Sequence, residues 1–184
     1  KLAQQTGQEA DQVRLLRVQA AMFQGKRDEA ATLLNQLPSD QAGELGALLL
    51  RVQLHLDEGQ EAQAIALLRQ AVQEHPQSTE PVRRLALLLN QGGDRSECEG
   101  VLKEAFGRMD EAGQRMLGML LADFYVSWEQ PDALYAWLTD LNQRFPNDIE
   151  PKRRLLLLDR VLNDPAAAQA VVDQILSLIH ISEP

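Results

Sequence analysis

Gly25, Gly59 and Gly93 stand 34 residues apart in each case, and this spacing limits the chain more than any other feature. A small residue follows each glycine by five positions (Ala30, Ala64, Cys98), and a bulky one follows by nine (Leu34, Leu68, Leu102). Ala133 with Trp137 and Ala168 with Val172 continue the series at intervals of 35. Self-similarity at such a period means stacked supersecondary units, none of which can bury its faces alone.

The clearest copy of the unit runs from Gly59 to Pro76. It reads as a helix opened by a glycine and closed by a proline, with Ala64, Leu68 and Ala71 on one face. The same reading predicts paired helices along the chain. The first pair spans Asp11–Gln24 and Asp28–Leu37, with Pro38 as its stop. Ser39 or Asp40 caps a helix to Asp57, and the Gly59 copy follows it. The third pair is Ser78–Gln91 with Arg95–Gly107, Pro81 sitting in a first turn where its missing N–H costs nothing. Asp110–Trp128 pairs with a helix from Pro131 that ends before Pro146, and Asp148–Leu162 with Pro165–Ile175. Lys1–Gln5 reads as a helix end ahead of a turn at Thr6-Gly7. A second match is independent of the glycines: residues 76–88 and 146–158 share the frame P-x-x-x-E-P-x-R-R-L-x-L-L, 70 residues apart, which is two repeats.

The period, the glycine between paired helices, the small residue opening each second helix and the proline after it resemble the tetratricopeptide repeat. The resemblance covers Asp11 to Ile175 as about five degenerate repeats. The aromatic usual early in the first helix is missing, Leu37 replaces the second small residue of its unit, and Asp140 falls at that place in the fourth. What the resemblance implies is an all-α solenoid of antiparallel helix pairs wound as a right-handed superhelix, with the first helices lining a concave face that holds a protein or peptide partner. Residues 1–10 are expected to be the tail of a preceding repeat, so that the chain starts inside a longer array, 11–175 the solenoid, and 176–184 a separate tail.

Composition narrows the function. Ala, Leu and Gln dominate, a helical palette, and a charged fraction of 24% with 45% apolar residues is ordinary for a globular chain. A net charge of −9 repels phosphate backbones, so a nucleic-acid partner is not expected. No apolar run approaches the ~18 residues of a membrane span. His55, His75 and His180 share no metal-ligand spacing, and neither a phosphate-cradling glycine loop nor a nucleophile motif is present, so no metal, cofactor or catalysis is expected. Cys98 fills the slot that alanine fills elsewhere and reads as a small core residue.

The remaining candidates are partner-binding residues. Arg83, Arg84, Arg153 and Arg154 lie in first turns, where cations oppose the helix dipole and need another source of favour. Bridges to Glu80 and Glu150 at i,i+3 and i,i+4 spacing are one source. The other follows from the resemblance: a groove in which Arg83 and Arg153 meet a carboxylate or acidic side chain of the partner, with Arg84, Asn90 and Arg154 counted among the partner-binding residues. All the aromatics except Phe23 lie between 106 and 145 and read mainly as core; the polar ends of Tyr125 and Tyr135 also suit a surface anchor. The expected role is a non-catalytic scaffold or adaptor. Its rival is an array that positions a catalytic or membrane domain in a larger bacterial envelope-assembly or enzyme machine. The compartment is not fixed, although Ala/Leu/Gln-rich degenerate repeats of this kind lean towards the bacterial envelope.

The end of the chain carries a different signal. Leu176–Pro184 resembles the in-frame translation of a transposase adapter used in sequencing libraries (CTG TCT CTT ATA CAC ATC TCC GAG CCC), complete over its nine codons. Read otherwise, the same residues extend the last helix through Leu178, Ile179 and Ile181. For a foreign, unpacked tail, deletion of 176–184 leaves the thermal midpoint and solubility unchanged, whereas a fall of several degrees marks it as packed.

Overall fold

The computed structural model describes residues 2–37 and 44–162, with side chains for 13–37 and 44–158. Among the described residues there are nine α-helices and no strand: α1 (Leu2–Phe23), α2 (Arg27–Asn35), α3 (Leu45–Asp57), α4 (Glu61–Glu74), α5 (Thr79–Gln91), α6 (Arg95–Arg108), α7 (Glu111–Ser127), α8 (Pro131–Arg144) and α9 (Ile149–Leu162). They fall into two compact units, Lys1–Asp110 and Glu111–Pro184. In the first unit each helix from α1 to α6 packs on the next; in the second, α7 packs on α8 and α8 on α9. The predicted cap at Ser39 or Asp40, the helix 165–175 and the tail 176–184 lie outside the described residues.

A single turn geometry joins the helices of a pair. Gly25, Gly59 and Gly93 have φ of 74°, 72° and 83°. Each glycine N–H donates to the carbonyl three residues back, and the next N–H to the carbonyl five further back than itself. Thus Gly59 N bonds Leu56 O at 3.0 Å while Gln60 N bonds His55 O at 2.7 Å. This is the Schellman closure, which satisfies the last carbonyls of a helix and requires a left-handed residue. The fourth instance holds no glycine. Glu129 takes it, at φ 58°, with Glu129 N to Val126 O at 3.1 Å and Gln130 N to Tyr125 O at 3.0 Å.

The fourth turn therefore falls at residue 129, 36 positions after Gly93, and this corrects the sequence frame by one residue. Counted from the turns, the small slot is Ala30, Ala64, Cys98 and Leu134, exposed by 0, 0, 0 and 7%. The same backbone bond marks each of them: Leu134 N donates to Gln130 O as Ala64 N does to Gln60 O. The bulky slot is Leu34, Leu68, Leu102 and Leu138, and the second small slot ends in Leu141, not Asp140. Ala133 and Trp137 are only half-buried. Trp137 instead donates its indole Nε1–H to the Gly118 carbonyl of α7 at 2.8 Å, where Gly118 and the fully buried Ala122 leave that helix thin. Trp137 thus sits over Gly118, which takes the place that Leu48 and Val82 hold on α3 and α5. Seven residues before each turn, Val18, Val52, Ala86 and Ala122 are all 0% exposed.

One predicted turn is absent. Helix α1 runs without a break through Thr6-Gly7. One helical glycine costs only about 1 kcal/mol relative to alanine, and the flanking Gln, Glu and Ala residues are good helix formers.

A β-substituted residue in the left-handed region costs ~1 kcal/mol or more relative to glycine. Glu129→Gly is therefore expected to raise stability by about 1 kcal/mol, and Gly59→Ala to lower it by a similar amount, both read from urea denaturation midpoints.

Candidate partner-binding surface

Both E-P-x-R-R frames begin helices, α5 and α9, and in both the glutamate serves its own arginines. Glu80 accepts hydrogen bonds from Arg83 Nε (3.1 Å) and Nη2 (2.9 Å) and from Arg84 Nε (2.6 Å). Glu150 accepts from Arg153 Nη2 (2.9 Å) and Arg154 Nε (3.1 Å). Proline occupies the first turn and an acid sits near the positive end of the helix dipole, so the frame is also sound helix-start chemistry. Burial raises the Glu80 carboxyl, but the bonds from Arg84 and Arg83 outweigh it and hold the group below the usual carboxylate range. Glu150 is likewise lowered, chiefly by Arg153 and against burial, with Arg154 assisting.

The two frames differ in what lies beside them. Arg154 also reaches another helix: its Nη1 is 2.5 Å from Asp123 Oδ1 on α7. Burial would lower the Arg154 guanidinium, yet Asp123 and Glu150 together raise it. Beside this ion pair lies a groove of about 500 Å³, lined by Asp123 and Val126 of α7, Leu134 of α8, and Arg154, Leu157 and Leu158 of α9. Its walls are mostly apolar, with Val126 58% and Leu157 54% exposed. Below it Arg115 ties the base of α7 to the α8–α9 turn, bonding Glu111 (2.6 Å) and Asp148 (3.2 Å) while its guanidinium lies 5.2 Å from the Phe145 ring.

Of the residues singled out from sequence, Arg154 is in the groove and Arg153 stands exposed next to it on α9. Arg83 and Arg84 lie half-exposed on α5, in the other unit, with Asn90 half-buried near the end of that helix. Tyr125 is not on the surface: it is 2% exposed, packed edge-on against Trp128 at 5.7 Å between ring centroids. Four places before the turn Ala21 and Leu89 are buried in the first and third pairs, and Tyr125 holds the same place in the fourth, so Tyr125 is core. Tyr135 is 37% exposed. Val126 and Leu157 were missed because apolar residues in an Ala/Leu-rich helix read as core. One signal was there: Leu155 to Leu158 is a run of four leucines, and an amphipathic helix cannot turn all four inward.

The unused candidates are accounted for by packing. Cys98 is 0% exposed, its thiol donating to the Ala86 carbonyl at 3.3 Å. Burial, with Asp94 and Glu99 nearby, pushes its pKa up to about 12, which leaves no thiolate for chemistry near neutral pH. Lys152 is 4% exposed in the place Val82 holds in α5, and its ammonium donates to the Pro146 carbonyl. Among the described residues no three His, Cys, Asp or Glu side chains are grouped to hold a metal ion, and no helix is long and apolar enough to cross a membrane.

Residues 55–120 match the family model described as Tetratricopeptide repeat. A search of curated proteins returns no match. Among solved structures, a MamA double mutant is 14% identical, with a TM-score of 0.57 over 94% of this chain and 96% of its own. MamA from Desulfovibrio magneticus RS-1 (41 to the end) is 14% identical, with a TM-score of 0.56 over 95% and 97%. PilF of Pseudomonas aeruginosa is 12% identical, with a TM-score of 0.59 over 93% and 77%. At these identities the likeness is one of fold: the chain is an all-α solenoid of tetratricopeptide-like, degenerate repeats.

The lowered carboxyls give a pH signature. A depressed folded-state pKa contributes stability above the unfolded value, and that contribution is lost as pH falls through the folded value. Because the glutamates are about a third exposed and Arg83 and Arg153 more so, each pair is worth at most about 1 kcal/mol. Glu150→Gln is expected to melt about 2 °C below the parent at neutral pH. The gap should close as the pH falls below the ordinary carboxylate range, in thermal melts followed by circular dichroism.

Proposed function

We propose that this chain, whose residues 55–120 match the tetratricopeptide repeat, is a non-catalytic scaffold that binds a protein partner through the first-helix face of its second unit. The groove between Asp123, Val126, Arg154 and Leu157 carries this reading. Two large aliphatic side chains left more than half exposed beside a paired guanidinium and carboxylate form the pattern of an interaction site: an apolar centre with a polar rim. The partner segment that fits is an extended or helical peptide. It places an aliphatic or aromatic anchor between Val126 and Leu157 and an acidic residue against Arg153, whose side chain is 63% exposed despite its bond to Glu150. Arg83 of the first unit, 44% exposed, is the analogous cation there and is assigned the same role. The tetratricopeptide-like fold supports a protein as the class of partner.

The test uses the full chain as bait for a phage-displayed library of random dodecamer peptides. Selected peptides are expected to carry an apolar anchor, and Leu157→Asp should weaken their binding by more than tenfold in fluorescence anisotropy, about 1.4 kcal/mol. Arg69→Ala, in the other unit, should leave it unchanged. Peptides that bind Leu157→Asp as tightly as the parent would assign recognition to another surface.

A further inference from the structure

Helix α7 carries a second regularity on the side away from the core. Ala112, Met116, Met119, Asp123 and Val126 follow one another at intervals of four, three, four and three residues, and none of them is buried. Met116 is 51% and Val126 58% exposed. Alternation of four and three is the spacing of the a and d places of a heptad, whose seam takes another helix. Apolar residues fill all of these places but Asp123, which is paired with Arg154 of α9.

The open face belongs to the repeat and not to a chain end. Counted back from Glu129, Met119 and Asp123 stand ten and six places before the left-handed turn residue. Leu49 and Gln53 hold those places on α3, and Arg83 and Leu87 hold them on α5, and none of the four is buried. What sets α7 apart is its chemistry. Where α5 has Glu80 bonded to Arg83, α7 has two methionines, whose unbranched, polarizable side chains adapt to a partner's ridge. Across the groove α9 supplies Leu157, with Arg153 one turn before it.

The lining of the groove also selects the conformation of its ligand. An extended peptide brings an N–H and a C=O at each residue, and all of them need partners once buried. Among the described residues the polar side chains that line the groove are Asp123 and Arg154, and they bond each other. Against Val126, Leu134 and Leu157 the peptide groups of an extended chain lose their water and gain no partner. A helix arrives with those groups already bonded internally.

We infer that the partner segment is an amphipathic α-helix laid along α7, its apolar ridge on Met116, Met119 and Val126 and an acidic flank toward Arg153, whose side chain is 63% exposed. Met116 to Val126 covers about 15 Å of helix axis, so the ligand helix needs about three turns. This narrows the ligand of the groove to one conformation, and it rests on that groove being the recognition site.

The test offers the full chain two displayed libraries: three-heptad single helices randomised at their a and d places, and linear random dodecamers. Binders from the helix library are expected to carry apolar residues at those places and to gain helical circular dichroism on binding. Proline at their centre should weaken them about a hundredfold. In fluorescence anisotropy Met116→Glu and Val126→Glu should each weaken them roughly tenfold, and Met116→Leu less than about twofold. Both residues are exposed, so the melting curves should not change. Binders that weaken on Leu157→Asp yet ignore Met116→Glu and tolerate the central proline overturn the helix and leave the groove as the site. Binders indifferent to Leu157→Asp and Met116→Glu alike refute groove and helix together. A helix library that yields no binder overturns the inference whatever the dodecamers do.

Discussion

The left-handed residue that closes each first helix is the constraint on which the other regularities depend. It ends one helix, satisfies the carbonyls of its last turn and aims the chain back along the same face. Once its place is known, the buried slots follow at fixed distances: seven before it, and five, nine and twelve after it. The rule is indifferent to residue type. It places Leu134 where the other repeats have Ala30, Ala64 and Cys98, and α7 carries Gly118 where α3 and α5 carry Leu48 and Val82. Packing requires a filled volume and leaves open which helix contributes the bulk.

This explains what could be read from the sequence. Three turns announce themselves because glycine is the usual left-handed residue, so the period, the helix pairs and most of the core slots are visible from Gly25, Gly59 and Gly93. The fourth turn is silent, since glutamate carries no such signal and only the backbone at Glu129 reveals it. The small-residue pattern, followed without that anchor, settles on Ala133 and Trp137, one place early. The uninterrupted α1 was illegible for the complementary reason: Thr6-Gly7 looks like a turn, while a single glycine between strong helix formers is tolerated.

The site was legible in its charges and hidden in its apolar part. Arginines in the first turn of a helix stand out against the dipole, and the frame that holds them recurs, so Arg83, Arg84, Arg153 and Arg154 attract notice. Their nearby glutamates take up much of that charge. What distinguishes the second unit is the exposure of Val126 and Leu157, which depends on tertiary packing that no local pattern encodes. Asn90 occupies on α5 the place of Val126 on α7, so the same helical position is polar in one unit and apolar in the other.

Repetition also lets one part of the molecule serve as the reference for another. Lys152 illustrates the limit of residue-by-residue comparison: it holds the place of Val82, and its methylene stem fills that core position while its ammonium is satisfied by a backbone carbonyl. A charged residue at a core slot is therefore no sign of a site by itself.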